Sequence, residues 1–266
     1  MDKPLGTFAG VFRPTVLTIL GALLYLRGGW LVGHAGLLGA LAIIAGAVVI
    51  TGATALSVAT IATNQRVRPG GAFAIISQAL GLEAGGAIGG PLYVAQALSA
   101  AMYAYAFAEA LQDTVRVMGG PELSLVPVAL VAFLAVAGVT LKSTALAVKA
   151  QGALFVLALV ALASLFSGVF TEDLSAPALL PPETDVSLLD AFALFFPAVT
   201  GIMVGVGMSG RLANPQRAIP RGTMGAWCAT TAVYVLGMVF YALVASPTEL
   251  MAPGTVAFDK ALIGPV

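Results

Sequence analysis

The sequence predicts an all-α protein that sits within a lipid bilayer and crosses it about seven times. Three observations lead there. Of 266 residues, 59% are apolar and only 9% charged, 12 basic against 12 acidic, with a mean hydropathy of +1.01. A soluble domain carries roughly 25% charged residues, so this chain has too few to coat a globule of its size. Uncharged runs of membrane-spanning length recur at 28–65, 84–108, 123–141, 150–171, 191–210 and 222–248, with a shorter run at 14–26. These runs do not alternate apolar with polar, as ALAIIAGAVVI at 40–50 shows, which favours helices over transmembrane strands.

The same figures exclude other classes. Disorder needs low hydrophobicity and high net charge, and the net charge here is zero. The single cysteine, Cys228, rules out a disulfide scaffold, and the single histidine, His34, in a short outer turn, is not expected to hold a metal. GVTLKST at 138–144 ends like a phosphate loop but has Leu141 where glycine must precede Lys142. No Ser/His/Asp or paired-carboxylate set can be assembled from the apolar runs, so an enzyme is not expected, nor a cofactor. Cys228 reads as a small packing residue.

The stretch 14–65 is too long for one span and is divided near Gly33-His34-Ala35-Gly36. The spans are then about 13–33, 36–63, 84–113, 123–141, 147–170, 189–210 and 222–246. Gly85, Gly86, Gly89 and Gly90 open the third span as a small-residue packing face. NPQRAIPRGT at 214–223 has the turn chemistry of a connection between the sixth and seventh spans. Placing the N-terminus in the cytoplasm puts nine basic residues inside: Lys3, Arg13, Arg66, Arg68, Lys142, Lys149, Arg211, Arg217 and Arg221. Three stay outside: Arg27, Arg116 and Lys260. The acids Glu172, Asp173, Glu183, Asp185 and Asp190 fall in one external loop. The expected location is a cell membrane, plasma or bacterial inner, with several passes.

Spans one and six differ from the rest. The first, RPTVLTILGALLYLRGG, holds Pro14, Thr15, Thr18 and Gly21; the sixth, FFPAVTGIMVGVGMSG, holds Pro197, Thr200, Gly201, Gly205, Gly207 and Gly210. Proline removes a helical hydrogen bond and glycine weakens a helix. In lipid the freed backbone groups must be satisfied, so a broken helix survives only against protein or a water-filled cavity. Two Gly/Pro-interrupted spans in corresponding places point to a transporter site. Gly201-xxx-Gly205 also fits a helix-packing contact, and both readings stand at this level. A broken helix offers free N–H groups to an anion and free C=O groups, with threonine hydroxyls, to a monovalent cation. No formal charge lies in the middle of either span.

Four segments, GTFAGVFRPTVLTILGALLYLRGGWLVGHAGLLGA, GGAFAIISQALGLEAGGAIG, AMYAYAFAEAL and FFPAVTGIMVGVGMSGRLANPQRAIPRGT, together resemble the cation–chloride cotransporter family of the amino acid–polyamine–organocation superfamily, from about Leu5 to Thr223. The resemblance implies a LeuT-type five-plus-five inverted-repeat fold, here incomplete. Residues 1–170 would be the first repeat, with helices 1–5, and 171–266 the start of the second, with helices 6 and 7, ending before helix 8. It implies a secondary symporter moving chloride with potassium, sodium or both by alternating access; an amino-acid or polyamine permease of the same superfamily is the alternative. By position, the potassium site would use Thr18, Ile19, Tyr103, Pro197 and Thr200. One chloride site would use the backbone at Gly21, Ala22 and Leu23, and the other the N–H groups of Gly201, Ile202 and Met203.

Arg27 lies nine residues beyond Thr18 and Glu109 six beyond Tyr103, about 13 and 9 Å outward by helical rise. The family's matching pair bridges the outer vestibule, so Arg27 and Glu109 are expected as an outer gate or as a static surface pair. Two departures stand out. Vertebrate members carry Asn where Thr18 stands, and Arg211 replaces an acid at the end of the sixth span. Family sodium ligands and a chloride-site tyrosine lie on helices 8 and 10, so sodium coupling is not legible here. The expected partners are inorganic ions, the lipid bilayer and, as one option, a second copy in a homodimer; nucleic acid is not among them.

Overall fold

A computed structural model describes residues 4–64, 69–170, 174 and 176–251. It is a bundle of helices, and among the described residues the one β-type contact is an isolated parallel bridge, Leu5 to Leu212. Among the described residues, five helical segments are long and apolar enough to cross a membrane: Leu23–Asn64, Leu125–Lys142, Ala145–Phe170, Leu188–Gly207 and Pro215–Val244.

A π-helical turn, Phe8–Phe12, leads into α1 (Arg13–Ile19), and after a two-residue break α2 runs Ala22–Asn64. At about 65 Å of helical rise α2 is too long for one crossing, and it bends at Gly36, whose φ is +66°. The amides freed by the bend are taken up by the loop before the sixth span: Leu37 N–H donates to Ala178 O at 3.0 Å and Leu38 N–H to Leu179 O at 3.1 Å. A β-carbon on Gly36 would stand 2.5 Å from the Leu180 carbonyl carbon, so glycine is needed for space as well as for φ. The division of 14–65 expected from the sequence therefore falls at this residue. His34 lies within the helix before the bend, not in a turn; its ring stacks on Trp30 at 4.3 Å between centroids.

Next come α3 (Gly71–Leu80) and α4 (Leu82–Val117), hinged at Gly81. The sequence reading missed α3, since ten residues are too few to register as a span. Of the four glycines read as a packing face, Gly85 and Gly89 lie against Ser77 and Phe73 of α3, whereas Gly86 and Gly90 face open space, being turned away from that helix. Then α5 (Leu125–Lys142) and α6 (Thr144–Ser167) meet at a corner where Ser143 accepts a hydrogen bond from Leu146 N–H, so Lys142-Ser143 is a helix cap and not a phosphate loop.

The sixth span is α7 (Leu188–Phe195), a 3-10 turn over Phe196–Val199, a break, and α8 (Val204–Gly207). The last long helix, α9 (Pro215–Val244), starts seven residues earlier than the sequence reading put it. Asn214 is its N-cap, accepting from Arg217 N–H at 3.2 Å, with Pro215 in the first turn, where proline costs no hydrogen bond. The Asn-Pro pair marks a helix start here, so 214–223 is largely helix. A short α10 (Pro247–Met251) opens with a capping box, Ser246 to Glu249.

The core forms where α2 and α9 pack along their lengths. Small residues of α2 admit aromatics of α9: a β-carbon on Gly28 would lie 2.7 Å from Tyr241, and one on Gly52 2.7 Å from Trp227. Leu24, Leu31 and Ile44 of α2 join Tyr234, Met238 and Tyr241 of α9, with Phe195, Val199 and Ile202 from the sixth span. A second cluster, Val11, Val58, Ile75, Val206 and Ile219, fills the end where Arg13 lies. Outside these clusters many large apolar side chains point outward. α5 buries no residue, and Val49, Leu98, Val131 and Leu157 are all more than half exposed. Such a surface is unsuited to water and suited to lipid. Cys228 is on this outward face, not in the packing between helices.

Candidate ion site at the two helix breaks

Both expected interruptions occur, and they face each other. α1 stops at Ile19 because Leu20 turns to φ −81°, ψ +42°, outside the helical region. In the sixth span Thr200 is extended, with φ −88° and ψ 174°, and Gly201 takes φ +113°. A β-carbon on Gly201 would stand 2.7 Å from Thr18 Cγ2 and 3.6 Å from Ile19 Cγ1. The two breaks thus touch through the one residue of the sixth span that has no side chain at that point.

Oxygen atoms gather around this contact. The Tyr103 hydroxyl, from α4, donates to Thr18 O at 3.3 Å. Its ring lies beside the other end of the first break, 3.2 Å from where a β-carbon of Gly21 would be. Thr18 Oγ1 donates to Pro14 O at 2.8 Å, and Thr200 Oγ1 donates to Pro197 O at 2.7 Å. Each threonine directs its proton back into its own helix and keeps its oxygen lone pairs for another partner. The set is neutral throughout: carbonyls, two hydroxyls and a phenol. Carbonyl and hydroxyl oxygens are the groups that replace the hydration shell of a potassium-sized cation in ion pathways. A divalent ion would call for carboxylates, and the described residues contain no group of three His, Cys, Asp or Glu fit to hold a metal.

Thr18, Ile19, Gly21, Tyr103 and Gly201 are therefore brought together directly, while Pro197 and Thr200 precede Gly201 in the sixth span and bond to each other. Ala22 is the first residue of α2, and Leu23 packs, partly buried, against the core. Ile202 is buried. Met203 looks elsewhere: it lines a cavity of about 250 Å³ toward α3 and α4, shared with Gly71, Gln96 and Gly207. Farther along the bundle Arg27 Nη2 and Glu109 Oε1 form a half-buried ion pair at 3.0 Å.

The sequence reading missed one group. Tyr234, fully buried in α9, places its hydroxyl 2.7 Å from Ile19 O and 2.7 Å from Ala198 O. The signal was a phenol in mid-span, far from either interface; its partners lie 215 and 36 residues away and no local pattern names them. Arg13 donates to Val148 O of α6 at 2.8 Å, and Lys149 and Arg211 line a cavity of about 380 Å³ nearby. Basic residues from three segments thus share one end of the bundle. Lys3, Arg66, Arg68, Glu172, Asp173 and Lys260, also used to orient the chain, lie outside the described residues.

A polytopic helical bundle with two opposed, interrupted spans is the architecture of a membrane transporter. The chain belongs to the amino acid permease family, whose profile matches residues 10–257. It is 35% identical over 255 residues to solute carrier family 12 member 1 of Mus musculus, covering 86% of this chain and 23% of that protein. It is also 35% identical over 276 residues to solute carrier family 12 member 2 of Squalus acanthias, covering 94% and 23%. An uncharacterized transporter of Schizosaccharomyces pombe is 32% identical over 269 residues, covering 87% and 25%. These similarities agree with the resemblance to cation–chloride cotransporters. The chain spans about a quarter of the length of the curated relatives it matches.

Proposed function

We propose that the protein is a secondary active symporter that moves chloride together with potassium, sodium or both by alternating access. The observation that carries this is the meeting of the two breaks, where the Tyr103 phenol sits on the Thr18 carbonyl and Gly201 abuts Thr18. The cation would be held by the carbonyls of Thr18, Ile19 and Pro197 with the oxygens of Tyr103 and Thr200. Chloride would sit beside it on the backbone at Gly21, Ala22 and Leu23, and a second chloride on the amides of Gly201, Ile202 and Met203. Cation and anion offset each other's charge, so neither needs an ionised side chain in the bilayer, where one costs several kcal/mol (about 2.5–3.5). Thr18, in place of the family's asparagine, brings one oxygen and no amide, so its cation preference need not follow that of the vertebrate members.

In this reading residues 1–170 and 171–266 belong to two inverted repeats, and α1 and the sixth span rock against the scaffold between two open states. The end of the bundle bearing Arg13, Lys149 and Arg211 faces the cytoplasm. The Arg27–Glu109 pair lies toward the opposite face and closes the outer vestibule when the site is turned inward.

The second reading, an amino-acid or polyamine permease, draws on the family profile. The geometry favours it less. Tyr103 close against Gly21 and Thr18 close against Gly201 leave little room beside these glycines for an organic side chain.

Rubidium uptake into liposomes containing the full-length protein tests the proposal. Uptake should require external chloride and be indifferent to amino acids and polyamines. Rubidium uptake that ignores chloride removes the symport reading; uptake of a labelled amine without chloride installs the permease in its place.

A further inference from the structure

Tyr234 stands between the two breaks. Its hydroxyl is 2.7 Å from Ile19 O, the last carbonyl of α1, and 2.7 Å from Ala198 O, in the turn before Thr200. The ring is fixed by burial and by an edge-on contact with Phe195 at 5.7 Å between centroids. A phenol has one proton to give and oxygen lone pairs to accept with. It can therefore hydrogen-bond one of these carbonyls at a time, while the other carbonyl oxygen faces the phenol oxygen across the same distance. Such an arrangement is poorly satisfied when empty, and a cation reached by both oxygens would relieve it.

We infer that Tyr234 is a positioning residue for the transported cation and sets which cation is preferred. With its proton on Ala198 O, the phenol oxygen and Ile19 O face the same space and can share an ion; with its proton on Ile19 O, it stands in for the ion in the empty site. By holding carbonyls from α1 and the sixth span to one oxygen, it fixes the spacing between the two breaks. That spacing decides how well ions of different radius are coordinated. Tyr103 holds the neighbouring carbonyl, Thr18 O, from the opposite helix, so two phenols brace consecutive carbonyls of α1. Tyr241, two turns further along α9, makes only a 3.4 Å contact to Leu24 O and packs on Gly28, and it serves as the structural comparison.

This inference rests on the cation site proposed above. The test is uptake of rubidium, potassium and caesium as a function of concentration in liposomes, for the full-length protein and for Tyr234→Phe and Tyr241→Phe. In Tyr234→Phe the half-saturating concentration of the preferred cation should rise about tenfold, and discrimination between potassium and caesium should collapse. Tyr241→Phe should keep both, whatever it does to the yield of folded protein. Unaltered half-saturation and selectivity in Tyr234→Phe, with only yield or maximal rate reduced, would overturn the inference. Should Tyr234→Phe fail to fold, 3-fluorotyrosine at position 234 keeps the shape while making the phenol a stronger donor and a weaker acceptor. Half-saturation should then rise by about twofold or more, and an unchanged value would overturn the inference. If the unaltered protein takes up rubidium with no saturable cation dependence, the cation site itself fails, independently of Tyr234.

Discussion

Gly201 and Thr18 approach so closely that a single added carbon would stand 2.7 Å from the threonine methyl. Gly201 also takes φ +113°, a backbone conformation other residues avoid. The two interrupted spans are thus held in contact by a residue with no side chain. Gly201→Ala should introduce about 1–3 kcal/mol of backbone strain and push the breaks apart, cutting ion uptake by about tenfold or more. Gly207→Ala, where no atom lies within 4 Å of the added carbon, should be tolerated. Uptake and thermal unfolding of both variants check this.

Tyr103 reaches Thr18 O through its hydroxyl alone. Tyr103→Phe keeps the ring beside Gly21 and removes that contact. The half-saturating rubidium concentration should rise about tenfold while that of chloride changes by less than about threefold. Equal effects on both ions would mean that the ring, through packing, is what matters.

The Arg27–Glu109 pair is about a third exposed, with side-chain exposures of 38% and 29%, and solvent screening holds its worth to stability to about 1 kcal/mol or less. Its effect should be on transport. Arg27→Ala/Glu109→Ala should unfold at nearly the same temperature as the parent yet expose the site to an external thiol reagent more often, with a cysteine introduced near the breaks in a Cys228-free background. An unchanged rate of opening would make the pair a static surface contact.

Gly36 joins two spans at the bend within α2, and its neighbour is the Leu180 carbonyl. Gly36→Ala should destabilise the protein by about 1–3 kcal/mol, because it strains the bend and displaces the loop that satisfies Leu37 and Leu38 N–H. Gly46→Ala, whose nearest neighbour is Phe192 at 3.8 Å, should change stability by no more than about 0.5 kcal/mol. Denaturation in detergent micelles separates them, and in the folded fraction of Gly36→Ala ion selectivity should be intact.

Much of this fold is written in local patterns. The interruptions at 20–21 and 200–203 follow from proline and glycine inside apolar runs, and the bend at Gly36 from the excessive length of 14–65. The contact of Arg27 with Glu109 is what the family resemblance implies; helical rise by itself gives only how far each charge stands outward of the breaks. What escaped has physical reasons. α3 is too short to stand out by hydropathy, and Asn214-Pro215 carries the same residues as a turn although it caps a helix. Tyr234 escaped because its function lies in a direction. The side chain of one helix points at the ends of two others, and one-dimensional spacing does not encode where a mid-span phenol points. The outward placement of Cys228 escaped for the same reason.

The central claim is that a cation and an anion share the junction of the two breaks without an ionised side chain. The most direct measurement is a density map of the full-length protein in lipid nanodiscs with rubidium chloride, compared with one in an organic-ion buffer. The account predicts a rubidium-dependent peak within coordination distance of the Thr18 and Ile19 carbonyls and the Tyr103 hydroxyl, with a chloride-dependent peak on the adjacent backbone amides. Peaks confined to Arg27 and Glu109, or none at a junction closed by its own side chains, would contradict it.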